Sequence, residues 1–181
     1  MVQSCDIPGV LLIRHQVRED ARGSFAKLLH PDDLGLGIGQ AFPVRESFVS
    51  WSEPGVVRGM HFQAPPHAHD KAVTCLAGEV LDVVLDLRRG SPAYGRSAAF
   101  RLEGTTPATV WIPAGCAHGF MVLGSARALL HYSVTAEHSP ANDLGVRWDS
   151  FGFAWPAAAG AVISDRDKSL PRLADLPIVF A

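Results

Sequence analysis

Between residues 56 and 71 the chain reads VVRGMHFQAPPHAHDK, and three of its side chains could share one piece of chemistry. Arg58 and His61 sit on an apolar, strand-like run; a Pro-Pro loop follows, and Lys71 begins the next apolar run. An imidazole beside a fixed and a movable cation suits proton abstraction next to a carbonyl. The base takes the proton, and the cations hold the negative charge that develops. By spacing alone the same stretch also reads as a plain strand with two solvated charges, which is the commoner arrangement.

The surrounding elements are short. Apolar or alternating runs at 10–13, 44–52, 72–76, 79–87, 97–102, 109–112, 119–123 and 128–134 predict strands. Turn signals such as Glu53-Pro54-Gly55, Ala77-Gly78, Gly90-Ser91-Pro92 and Gly124-Ser125 separate them. DARG at 20–23 turns the chain into 24–29, which fits strand or helix. Residues 31–39 are acidic and glycine-rich, hence a loop or one frayed helical turn. Nothing between 44 and 134 sustains a 3.6-residue period, so the fold is mainly β, a sandwich or barrel. After His138, prolines, glycines and aromatics follow without periodicity and suggest an irregular tail wrapped over that barrel. The expectation is one domain, 1–181, with its barrel core at about 44–134.

With 181 residues, 48% hydrophobic and 19% charged, the chain can bury a real core. A net charge of −2 without any Lys/Arg run argues against nucleic acid or a membrane surface as partner. No apolar run reaches membrane-spanning length, and the start MVQSCDIPGV lacks a cationic segment leading into an apolar one, so a cytoplasmic protein is expected. Cys5, Cys75 and Cys116 show no CxxC spacing and read as reduced thiols. Cys116 could be taken for a nucleophile because His118 is near; a small core filler is the commoner use.

Residues Pro113-Ala114-Gly115-Cys116-Ala117-His118 resemble the PxGxxH half-motif of the cupin barrels, in which a proline-glycine turn presents a histidine at the barrel mouth. The other half-motif of metal cupins carries HxH, then a glutamate seven residues before a glycine. Here the position seven before Gly78 is Lys71, and the HxH of His67 and His69 lies too close to Gly78 for that register. A protonated lysine in place of a carboxylate repels a dication and can itself serve an enolate oxygen. The mouth therefore reads as cationic, with no metal and no cofactor expected; a metal held by His67, His69 and His118 is the alternative.

Taken together, IPGV, DARGSF, GVVRGMHFQ, KAVTCLAGEVLDVVLDLRRGSPAYG, WIPAGCAHGFMVL, GVRWDSFGFAWP and ISDRD resemble, in that order, the dTDP-4-dehydrorhamnose 3,5-epimerase family. These are cupin-fold epimerases of sugar nucleotides. The resemblance implies a cupin-type antiparallel β-barrel (jelly roll) with short helices and an irregular C-terminal tail. It implies His61 as general base, Asp167 as its dyad partner and Tyr132 as the proton donor. Lys71, Arg58 and His118 match positions lining the sugar and phosphate pocket. Arg22, Phe25, Asp143 and Arg166 match nucleotide-contacting positions. The implied substrate is a nucleotide-linked 4-keto-6-deoxyhexose, inverted at C3, C5 or both in deoxysugar biosynthesis without cofactor. The implied assembly is a homodimer with exchanged N-terminal strands, roughly 11–29.

The departures from the family pattern gather on the nucleotide side. Lys27 stands for a usual glutamate, Glu46-Ser47-Phe48 for Gln-x-Asn, and His138 for an aromatic. A carboxylate becomes an ammonium and an amide becomes a carboxylate, so the carrier could be dTDP, CDP or another nucleotide. Three competing readings stand beside the epimerase: a metal-dependent cupin such as a dioxygenase or isomerase, a silent sugar-nucleotide binder, and within the family a 3,4-ketoisomerase or mono-epimerase.

Overall fold

The computed structural model describes residues 1–29, 43–156 and 158–180. In its first half run β1 (Val2–Ser4), β2 (Leu11–Arg14), β3 (Val17–Asp20), β4 (Gly23–Ala26), β5 (Glu46–Ser52), β6 (Val57–Gln63) and β7 (Lys71–Ala77). Then come β8 (Glu79–Asp86), β9 (Ser97–Glu103), β10 (Ala108–Ile112), β11 (Cys116–Val122), β12 (Ala128–Val134), β13 (Asp143–Gly145) and a short helix, α1 (Asp165–Ser169). Six strands form one antiparallel sheet in the order β1-β2-β10-β7-β12-β5 and five form a second in the order β13-β6-β11-β8-β9; β3 and β4 pair as a separate hairpin. The fold is mainly β with two antiparallel sheets, as expected. Among the described residues no helix is long and apolar enough to cross a membrane.

The second sheet is covered on both faces, which explains why β8 reads as a nearly continuous hydrophobic run. Val80 and Val84 alternate inward onto Val73, Val110, Leu130 and Phe120 of the main core. Leu81, Val83 and Leu85 point the other way and are covered by Trp148, Phe153, Trp155, Leu173 and Phe180 of the C-terminal segment. Burying both faces of a sheet removes the polar half of the alternation. Apart from β13, which joins the sheet at its edge, the segment after His138 is therefore a second layer on the five-stranded sheet, which is the wrap its texture suggested.

The 24–29 segment, open between strand and helix, is strand where β4 pairs with β3. The strand expected from 119 begins at Cys116, because Cys116 and His118 already alternate inward behind the Pro113–Gly115 turn. β1, β3 and β13 have three or four residues, too few for alternation to show, and are fixed by their partners. The loop expected at 31–39 lies outside the described residues.

Candidate active site

One irregularity in β6 aims the chemistry. Residues three apart on a regular strand face opposite sides of the sheet, yet Arg58 and His61 both line the same pocket. The register between β6 and β11 accounts for it: His118 pairs with His61 and Phe120 with Arg58, so three steps on β6 match two on β11. The extra residue is absorbed around Gly59, whose φ of +122° suits glycine, and the Gly59–Met60 peptide is cis. A Cβ on Gly59 would stand 2.5 Å from Gly119 Cα and 2.8 Å from His118 O, so the two strands touch backbone to backbone there.

The pocket, of about 260 Å³, opens between the two sheets. From the five-stranded sheet come Arg58, His61, Gln63, His118 and Asp143; from the six-stranded sheet come Glu46, Phe48, Ser50, Lys71 and Tyr132. His69, His138 and Arg166 complete the rim. His61 and Tyr132 thus stand on opposing walls.

Behind His61 lies Asp167, carried by α1. Ser164 caps this helix by accepting from the Asp167 backbone N–H at 3.1 Å. The buried Asp167 carboxylate meets His61 Nε2 at 2.7 Å through Oδ1 and accepts the Gly59 N–H at 3.0 Å through Oδ2. Burial opposes its charge, but the hydrogen bonds from His61 and Gly59 outweigh that and hold its carboxyl below the usual range. A carboxylate at Nε2 places the ring proton on that nitrogen, which leaves the Nδ1 lone pair for the pocket.

The other groups are tuned mostly by burial. Lys71 is lowered to about 8 by burial, with Asp82 and Asp143 acting in the opposite sense. Burial pushes the Tyr132 phenol well above its ordinary value; its ring stacks on Phe48 at 4.7 Å and its hydroxyl is 3.5 Å from Ser50 Oγ. His118 is buried, lowered by that burial, and meets Asp82 Oδ2 at 2.6 Å. Asp143 ion-pairs with Arg166 at 2.8 Å. Arg58 is anchored to Ser52 Oγ at 2.9 Å.

So the structure brings His61, Tyr132, Lys71, Arg58, His118, Asp143 and Arg166 around one cavity, with Asp167 directly behind. It does not bring Arg22 and Phe25 there: both lie on the β3–β4 hairpin, which lines a separate hollow, and Phe25 is 60% exposed. Sequence reasoning passed over Asp82, Gln63 and Ser50. A carboxylate inside the apolar run EVLDVVLDL was a usable signal for the first, because a buried charge needs a partner. His69, read as a solvated loop residue or metal ligand, is half-buried in the wall. Among the described residues no three His, Cys, Asp or Glu side chains are grouped to hold a metal. The Cys116 thiol is pushed up to about 12, chiefly by burial, which suits a filler and not a nucleophile.

Such a site can remove a proton beside a carbonyl from one face, hold the anion with cations, and deliver a proton from the other. Comparison with known proteins agrees in kind. The family model described as dTDP-4-dehydrorhamnose 3,5-epimerase matches residues 4–175. The dTDP-4-dehydrorhamnose 3,5-epimerase of Sinorhizobium fredii is 38% identical over 98% of this chain and 92% of its own. A dTDP-4-dehydrorhamnose 3-epimerase of Streptomyces niveus is 36% identical over 93% and 82%. The Legionella pneumophila epimerase RmlC, solved in complex with dTDP-4-keto-L-rhamnose, superposes with a TM-score of 0.91 at 30% identity, covering 98% of this chain and 94% of that one.

Proposed function

Since the chain belongs to the dTDP-4-dehydrorhamnose 3,5-epimerase family, we propose that its pocket inverts C3 and C5 of a dTDP-linked 4-keto-6-deoxyhexose in deoxysugar biosynthesis. The observation that carries this is the 2.7 Å contact of His61 with Asp167 on the wall opposite Tyr132. Both C3 and C5 adjoin the ketone at C4, so each C–H is acidified by delocalisation onto the ketone oxygen. Neutral His61 takes the proton through Nδ1, and Asp167 stabilises the imidazolium that results. Lys71 and Arg58 hold the enolate oxygen. Tyr132 then protonates the carbon from the other face; an enolate carbon is a far stronger base than a phenolate, so the raised phenol still gives up its proton. The imidazolium returns its proton to solvent and the phenolate recovers one. No electrons are gained or lost, and one centre has been inverted.

Arg166, held by Asp143, and Arg58 provide positive charge for the diphosphate. Glu46, Phe48 and His138 in the pocket, with Lys27 outside it, fill the positions where this chain departs from its family, which keeps CDP as a second carrier to test. Arg22 and Phe25 reach a nucleotide only across a dimer, with the β3–β4 hairpin entering the partner's pocket. The exposed Val49 and Trp51 on the edge strand β5 give such a partner an apolar surface. In this reading residues 1–181 act as one domain, and the enzyme works in the cytoplasm.

The test is incubation with dTDP-, CDP-, UDP- and GDP-4-keto-6-deoxyhexoses in deuterated water, followed by NMR. Deuterium at inverted C3 and C5 of the dTDP sugar is expected. Label and inversion at C3 alone would make it a mono-epimerase, as the Streptomyces niveus relative is named. A migrated carbonyl would replace the reading with a ketoisomerase.

A further inference from the structure

The wall of the pocket contains a histidine that the reaction above does not use. Its orientation is fixed by a chain of hydrogen bonds beginning at a backbone amide. The Ser139 N–H donates to Gln63 Oε1 at 2.6 Å. A backbone N–H cannot accept, so this bond decides which end of the buried Gln63 amide is oxygen. The amide nitrogen then faces His69 Nδ1 at 3.0 Å, with the carbonyls of His67 and Glu137 each at 3.1 Å. An amide NH2 has no lone pair to offer. A proton on His69 Nδ1 would therefore meet a donor head-on. His69 Nδ1 is also 3.3 Å from the His67 carbonyl, but that oxygen already accepts from the Gln63 amide at 3.1 Å, and Nδ1 lies nearer the amide nitrogen than the carbonyl; the nearer donor favours a bare Nδ1. The neutral ring carries its hydrogen on Nε2, and that nitrogen has no protein partner among the described residues while the ring lines the pocket.

We propose that His69 is an uncharged hydrogen-bond donor to the bound sugar, held in its Nε2–H tautomer by Gln63, and contacts an oxygen next to the one that Lys71 holds. The identity of the sugar rests on the reaction proposed above; the tautomer does not. Lys71 is two residues further along the chain, and its positive charge acts on the imidazole. Burial first, and then Lys71, lower His69 to about 4, while the contact with the His67 carbonyl, Asp70 and Glu46 act the other way. The ring accordingly stays neutral through the physiological range. A second cation beside Lys71 would repel it, whereas a neutral donor adds a directed bond at no charge cost. This separates the work of the two side chains: Lys71 answers the charge that develops during the reaction, and His69 reads an oxygen present from the start. His69 is thus a positioning residue for the sugar.

Two measurements decide it. Nitrogen-15 NMR of the labelled protein at neutral pH should show His69 with Nδ1 bare and Nε2 protonated; a proton on Nδ1 overturns the proposal whatever the substrate. On the substrate turned over by the wild type, His69→Asn and His69→Leu should lower kcat/KM about tenfold, mostly through KM, because one directed hydrogen bond is lost. His69→Gln places an amide N–H near the Nε2 position and should recover to within about threefold of wild type. Equal losses in Gln, Asn and Leu, in variants whose melting temperatures match wild type, would make His69 a packing residue and sink the proposal. A wild type inactive on every 4-keto sugar would defeat the epimerase reading instead, and the NMR result would still decide the donor.

Discussion

Lys71 should set the alkaline side of the proposed reaction. Its folded pKa is lowered to about 8, so the ammonium is charged below that pH and loses its proton as pH rises through it. As the enolate's cation it should make the rate decline as pH rises above about 8; a rate still climbing at pH 9 would remove Lys71 from that role. The same shift has a stability sign. Between pH 8 and 10.5 the unfolded chain binds a proton that the folded chain does not, so this group alone makes unfolding harder as pH rises across that window. In the proposed reaction Asp167 acts through His61, and Asp167→Asn keeps an acceptor but removes the charge that would stabilise imidazolium. We expect kcat to fall on the order of a hundredfold with KM little changed; an unaltered kcat would leave Asp167 a structural residue that holds the Gly59 N–H. Most of these side chains were legible because their types are chemically specific. Gln63 was not, since its meaning lies in what it touches, Ser139 and His69; Asp82 carried the signal of a carboxylate in an apolar run, but not the identity of its partner His118.

At the scale of elements, the strands were legible from alternation and the aim of β6 was not. RGMHF gives no sign that Arg58 and His61 share a face, because the bulge depends on the close approach of Gly119 from β11. Gly59→Ala should therefore do two things. The methyl group meets backbone at 2.5 Å and 2.8 Å in a conformation alanine avoids, which costs on the order of 2 kcal/mol. It also shifts the Gly59 N–H that holds Asp167, so activity should fall further than the melting temperature suggests. Gly90→Ala, with nothing within 4 Å of its Cβ, is the matched control and should change neither. A Gly59→Ala protein with wild-type activity would show that the bulge does not aim His61. The helix α1 was hidden by its length of five residues, though Ser164 three before Asp167 is a capping signal.

At the scale of the molecule, the sandwich is what turns proton removal into inversion, because its two sheets supply different walls of one cavity. The hairpin with Arg22 and Phe25 stands away from that cavity, which makes a dimer part of the account: sedimentation should give a dimer at micromolar concentration, and a fully active monomer would refute the exchanged hairpin. The sequence resemblance carried the fold class, and seven of the residues it named line one cavity, whereas Arg22 and Phe25 lie on the hairpin away from it. Action of base and acid from opposite faces is tested by following deuterium uptake and inversion in one sample of Tyr132→Phe. His61 can still remove a proton, exchange it with solvent and return it to the same face, so the substrate should gain deuterium while its configuration is kept. Inversion that keeps pace with exchange in this variant would contradict the account.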